Sequence, residues 1–188
     1  MHESGVTVEP GPDYPTDPLP LEDKAVFDNN LEMLKTIIRL GGSPEAIGYR
    51  GRLLLQTAIY RDATEIFHYL IQFEQLINKP EFLEYDYKRD KSYPLHAAAR
   101  AGKAEYARTL LTKGAKINLK DNLGNTPLHY AVLSSEVDVL KVLLDVKGVD
   151  LQQQNVDGQT PLEFARAKLN SDRCDCSTSV ALLEQNLK

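Results

Sequence analysis

Thr126-Pro127-Leu128-His129-Tyr130-Ala131 decides the reading of this chain, because it does not stand alone. The same pattern occurs earlier as Tyr93-Pro94-Leu95-His96-Ala97-Ala98 and later as Thr160-Pro161-Leu162-Glu163-Phe164-Ala165. The pattern leucines Leu95, Leu128 and Leu162 are 33 and 34 residues apart. A fixed period of that size marks a stack of short supersecondary units, none of which buries its apolar face alone. Such a stack presents one long surface and no obvious pocket.

Working outward, the chemistry inside each unit is legible. Thr126 and Thr160 can cap a helix whose first turn holds Pro127 and Pro161, where a missing N–H costs nothing. The slot three residues after the pattern leucine is always alanine: Ala58, Ala98, Ala131 and Ala165, with Ala25 as a fifth. A small residue there lets the helix lie close to its neighbours. Twelve residues beyond that alanine comes an apolar pair that opens the inner face of a second helix: Ile37-Ile38, Leu70-Ile71, Leu110-Leu111 and Leu143-Leu144. In the last unit the pair Leu182-Leu183 comes seventeen residues after Ala165, so five residues are inserted. Gly41, Gly114 and Gly148 follow their helices where a left-handed cap is wanted. Short extended runs such as Lys116-Ile117-Asn118-Leu119 are expected next, turned by Asp121-Asn122-Leu123-Gly124.

Charge divides the chain in two. Of 27 acids, five (Glu3, Glu9, Asp13, Asp17 and Glu22) lie in residues 1–22, which hold no Lys or Arg and half of the ten prolines. The remaining 22 acids balance the 22 bases, so the leading segment carries the whole net charge of −5. Proline removes backbone donors and blocks helix, so residues 1–19 are expected to form an acidic extended arm ahead of a single domain at 20–188. An electrically neutral body argues against nucleic acid, which needs a basic face. No stretch approaches the roughly 18 apolar residues of a membrane span, and no apolar leader is present, so membrane insertion is not expected. Two cysteines are too few for a disulfide framework and fit a reducing compartment. A monomer of the cytoplasm is the expectation, with host cytosol if the chain is a pathogen effector, or the nucleus, as further possibilities.

The chain resembles the ankyrin-repeat family over about residues 20–188. The densest stretch runs from Tyr93 to Ala131, with Pro94-Leu95-His96, Gly102, Leu110-Leu111, Gly114-Ala115, Ile117-Asn118, Asp121, Gly124 and Thr126-Pro127-Leu128-His129. The resemblance implies a mainly α solenoid of about five stacked helix-turn-helix units with β-hairpin fingers. The units fall at about 20–48, 49–90, 91–123, 124–157 and 158–188. The second departs most: Leu53-Leu54-Leu55-Gln56 stands where Thr-Pro-Leu-His is expected, and Glu74 replaces the capping glycine. Its finger is long, since Leu55 to Leu95 is 40 residues.

Candidate chemistry is sparse. The resemblance implies that His96 and His129 hydrogen-bond nearby backbone, tying loop to helix. The replacement of their equivalents by Gln56 and Glu163 favours that polar role over catalysis. No nucleophile motif, phosphate loop or paired-carboxylate signature accompanies them, so no catalytic residue and no cofactor are expected. Cys174-Asp175-Cys176 falls in the insertion of the last unit and reads as an exposed loop with two free thiols. Its rival reading is a thiol- or metal-dependent sensor or enzyme, although a third cysteine for a metal site is lacking. Asn78 and Asn118 each follow an isoleucine and are expected to hold turns; the resemblance implies β-hydroxylation at such asparagines in an animal cell.

The resemblance further implies a non-catalytic protein–protein interaction module (an adaptor, inhibitor or effector) that binds a partner protein on the concave face of fingers and inner helices. Positions not consumed by stacking are free to serve it. They are Tyr49, Arg50 and Arg52 on the first finger, Tyr60 and Arg61 after the first inner helix, Arg100, Leu133, and Asn122, Leu123 and Asn125 on a later finger. The long finger adds Phe82, Tyr85 and Tyr87 as aromatic anchors, with Lys88 and Arg89 at the rim. Aromatic residues and arginine are what interface cores enrich.

Overall fold

The computed structural model of the chain describes residues 20–48, 51–85, 88–134, 136–169 and 176–187; for 82–85 and 88–90 it describes the backbone alone. Helices come in antiparallel pairs along it. They are α1 (Leu21–Phe27) with α2 (Leu31–Arg39), α3 (Leu54–Arg61) with α4 (Thr64–Leu70), α5 (Pro94–Arg100) with α6 (Ala104–Thr112), α7 (Pro127–Ala131) with α8 (Val137–Leu144), and α9 (Pro161–Leu169) with α10 (Ser177–Asn186). The first helices form an inner row in which α1 packs on α3, α3 on α5, α5 on α7 and α7 on α9. In the outer row α6 packs on α8 and α8 on α10. This is the expected solenoid.

The repeated residues account for this order. Ala25, Ala58, Ala98, Ala131 and Ala165 are all fully buried, so the inner helices approach at the alanine slot. In the three central units the first member of each apolar pair (Leu70, Leu110, Leu143) is sealed inside. Burying one such leucine contributes about 1.5–3 kcal/mol. The end units depart from this register. In the first, Leu34 is fully buried while Ile37 and Ile38 are only half-buried; in the last, Leu183 is buried rather than Leu182. An end unit has one neighbour instead of two, so its outer helix turns a different face inward.

Local signals set the helix ends. Asn30 caps α2 by accepting from the Met33 amide at 2.9 Å. Thr160 and Glu163 form a reciprocal capping box at the start of α9, with the Thr160 amide donating to Oε2 at 2.8 Å and the Glu163 amide to Thr160 Oγ1 at 3.3 Å. Asp62 ends α3 in a left-handed conformation (φ 57°), the place that Gly102 (φ 68°) takes in the next unit. The strain is used: the Asp62 carboxylate accepts from the Tyr106 hydroxyl at 2.7 Å and pairs with Lys103 at 2.8 Å, tying one unit to the next. Tyr106 also stacks on Phe67, with ring centroids 4.3 Å apart.

The fingers differ from one another. The long one is a true hairpin, in which β1 (Glu81–Tyr85) pairs antiparallel with β2 (Lys88–Ser92), Glu81 facing Ser92 and Tyr85 facing Lys88. By contrast Lys116–Leu119 is not the extended run expected, because Ile117 and Asn118 form a turn. Side chains replace the missing ladder. Asn118 donates to the Gly148 carbonyl at 2.8 Å and accepts from the Asp150 amide at 3.0 Å; Asn78 does the same to Gly114 and Lys116. Each asparagine therefore holds the turn of the following unit rather than its own.

Candidate interaction face

The positions two residues past the alanine slot are equivalent in successive units, and they are Tyr60, Arg100 and Leu133. Each stands at the end of an inner helix. The slot just before the alanine holds Thr57, Ala97, Tyr130 and Phe164. Side chains from these two rows meet across the units. The Arg52 guanidinium lies over the Tyr60 ring, 4.4 Å from its centroid, and that of Arg100 over Tyr130 at 4.1 Å. A cation over an aromatic face gains about 0.5–2 kcal/mol, and more as water is excluded. Tyr60 is partly buried, which pushes its hydroxyl above the ordinary phenol range, with the charges of Arg100 and Arg52 acting the other way. The result is a cation–ring row crossing three units: Arg52, Tyr60, Arg100, Tyr130.

Asp121 anchors the far end. Its Oδ1 accepts from the Leu123 amide at 2.9 Å and the Asn125 amide at 2.8 Å, which shapes the finger, while Oδ2 takes the Tyr130 hydroxyl at 2.5 Å. Burial, together with that bond, pushes the Tyr130 hydroxyl up to about 12, so it remains a donor. Lys91, at the root of the long hairpin, sits over the Tyr93 ring at 5.2 Å. Lys91, Ser92, Arg100, Asp121 and Tyr130, with Asn122 and Leu123, enclose a cleft of about 60 Å³.

Beneath the row is a group of buried polar atoms with no hydrogen-bond partner. Glu81 is 1% exposed and neither carboxyl oxygen is bonded; Arg52 Nε, both amide atoms of Gln56, Ser92 Oγ and His96 Nδ1 are in the same condition. Desolvation pushes the Glu81 carboxyl up to about 7 against the pull of Arg52 and Arg100. Comparison between units explains two of these orphans. His129 Nε2 meets the Gln159 carbonyl at 3.0 Å, so that nitrogen donates and Nδ1 is the acceptor, taking the Thr126 amide at 3.1 Å. His96 makes the matching bond to the Asn125 carbonyl at 3.0 Å, but Tyr93 stands in the threonine's place, without a hydroxyl where Thr126 has one. Burial holds His96 neutral, down at about 4. Gln56 fills the histidine slot of its unit and reaches no acceptor at all. Both histidines thus bond backbone, as expected, but the backbone of the next unit.

The candidate positions sort as follows. Arg52, Tyr60 and Arg100 share one row, with Asn122 and Leu123 exposed at its end. Arg61 turns away and lies over Phe27 of α1 at 4.6 Å. Leu133 is half-buried against the core. Asn125 is a correction: it is 4% exposed, donates to the Tyr130 hydroxyl at 3.5 Å and accepts from Asn155 at 3.2 Å, so it serves stacking and is no free surface position. Tyr49, Arg50 and Tyr87, the acidic arm at 1–19 and the insertion at 170–175 lie outside the described residues, as do the side chains of Phe82, Tyr85, Lys88 and Arg89. The free-thiol reading is corrected at Cys176, which is buried and disulfide-bonded. Sequence reading passed over Glu81, Lys91, Ser92, Asp121 and Tyr130. Tyr130 was detectable, because its slot changes from unit to unit beside an alanine that does not; the others carry no such signal.

Among the described residues no group of three or more His, Cys, Asp or Glu side chains is placed to hold a metal ion, and no helix is long and apolar enough to cross a membrane. A family model for ankyrin repeats (3 copies) matches residues 23–121, 74–155 and 95–176. Over 71 residues, 38% of the chain, it is 42% identical to neurogenic locus notch homolog protein 1 of Xenopus laevis. The figures are 44% for the neurogenic locus Notch protein of Drosophila melanogaster and 41% for the human homolog, over the same share. The matched stretch spans 3% of the length of each of these relatives. With the family match running from residue 23 to 176 and the paired helices stacked as described, this chain belongs to the ankyrin-repeat family.

Proposed function

We propose that the protein works by occupying another protein's surface, through the inner-helix ends and fingers, without chemistry of its own. Ankyrin repeats generally mediate protein–protein interaction. The observation that supports this face in particular is the Arg52–Tyr60–Arg100–Tyr130 row. These side chains stand at positions that change from unit to unit, and stacked rings and guanidinium groups lose little conformational freedom when a partner covers them. Tyr85 and Tyr87, the aromatic anchors expected from the sequence of the long finger, would extend the same surface.

Affinity capture on the wild-type chain, compared with Tyr60→Ala and Arg100→Ala, tests this reading. Partners held by the wild type are expected to be lost with either variant, each of which stays folded with the modest fall in melting temperature that loss of a ring–guanidinium contact brings, and a Tyr85→Ala, Tyr87→Ala pair to weaken binding by at least about 1 kcal/mol. Partners that survive these changes but are lost with Arg108→Ala on α6 would move the site to the outer helices.

A further inference from the structure

The cleft at the root of the long hairpin has features that stacking does not require. Ser92 Oγ is buried, 3% exposed, and has no hydrogen-bond partner, yet it lines the opening. Arg100 lies over the Tyr130 ring and also bonds the Tyr130 and Tyr60 hydroxyls, which uses part of its fork of five N–H donors and leaves the rest for a ligand. Among the described residues neither Arg100 nor Lys91 enters an ion pair. The one acid on the rim, Asp121, already holds the Tyr130 hydroxyl and two backbone amides, and the Glu81 carboxyl beneath, which Arg100 also attracts, is pushed up to about 7 by burial. The volume of about 60 Å³ is roughly two water volumes, enough for one carboxylate group.

We propose that this cleft receives an Asp or Glu side chain from an acidic segment of the partner protein. The remaining Arg100 donors would meet the carboxylate, with Lys91 at the rim and the Ser92 hydroxyl donating from below. Charge complementarity selects that occupant: two cations outside any ion pair among the described residues and a bare hydroxyl donor match an anion and penalise a lysine or an amide. The exposed Leu123 beside the cleft offers an apolar contact to the residue flanking the acid. The inference rests on the inner-helix face being the binding surface.

The experiment is a chemical-shift titration of the full chain with two pools of hexapeptide amides. Both have randomised flanks, and they differ only in a fixed central Glu or Gln. The Glu pool is expected to move the Lys91, Ser92, Arg100 and Leu123 amides at least about threefold more than the Gln pool, and Arg100→Gln to reduce that response about tenfold. If Arg100→Gln proves unfolded, Lys91→Gln with Ser92→Ala takes its place and is expected to show the same loss. Equal responses to both pools at these amides would overturn the carboxylate assignment and leave the proposed face standing. Responses confined to α4 and α6 would overturn both. A response that appears only after deletion of residues 1–19 would make the acidic arm the occupant and overturn the assignment to a partner.

Discussion

Glu81 on β1 stands directly across from Ser92 on β2, both buried and neither side chain bonded. An ionisable group in that position makes stability depend on pH. Below about pH 4.5 Glu81 is protonated in the folded and unfolded chain alike, and it costs nothing by this route. As pH rises from 4.5 to about 7 the unfolded chain releases the proton while the folded chain keeps it, so stability falls; above 7 the loss is complete and constant. At about 1.4 kcal/mol per tenfold, that interval amounts to roughly 3 kcal/mol. Glu81→Gln is therefore expected to match the wild type near pH 4 and exceed it by about 3 kcal/mol at pH 8, in denaturant melts. His96 acts in the opposite sense, since its folded value of about 4 lies below the ordinary 6.5 and its contribution is lost as pH falls through that range. The two oppose one another between 4.5 and 6.5, so Glu81→Gln should also show an acid loss that the wild type hides. Parallel curves for the two proteins would refute the buried placement.

Gln56 and His129 occupy the same slot with opposite consequences. The Gln56 amide is fully buried with neither atom bonded, whereas His129 joins Thr126 to Gln159. Replacing an unsatisfied polar group by an apolar one of equal shape removes a desolvation cost. Gln56→Met is expected to stabilise by about 1–2 kcal/mol, and His129→Met to destabilise by at least about 2 kcal/mol. Thermal melts of the two variants decide it; a loss in Gln56→Met would show that the glutamine is bonded.

Leu110, fully buried between α6 and its neighbours, tests the stacking register. Leu110→Ala is expected to cost about 2–5 kcal/mol in a denaturant melt. A cost below about half a kcal/mol would mean that the apolar pair does not face the core.

Gly124 has φ +70°, and a Cβ there would come within 3.0 Å of the Asn155 Cα and the Val156 nitrogen on the next finger. The Val156 amide donates to the Leu123 carbonyl at 2.9 Å, so the two fingers touch backbone to backbone. Gly124→Ala combines left-handed strain with displacement of that contact, and a loss of about 1–3 kcal/mol is expected. Amide exchange at Val156 should accelerate in the variant; unchanged protection would show that the fingers are not coupled there.

The period of the Leu95, Leu128 and Leu162 patterns, the alanine slot and the placement of the capping residues were all determined by sequence alone. They are local or strictly repeating, and each unit copies the same packing problem. The end units escaped that logic, because the face an end helix buries depends on having one neighbour instead of two. So did the finger at Lys116–Leu119, where Asn118 reaches 32 residues on to Asp150 instead of pairing within its own strand. The face itself was half visible. Arg52, Tyr60 and Arg100 were readable as positions that vary in a fixed frame. That Arg100 would lie over Tyr130, that Glu81 would be sealed opposite Ser92, and that Asn125 would be buried were decided only by the tertiary structure. Those relationships join residues 11 to 30 positions apart, across unit boundaries, and no period in the sequence encodes which side chain fills the space its neighbour leaves.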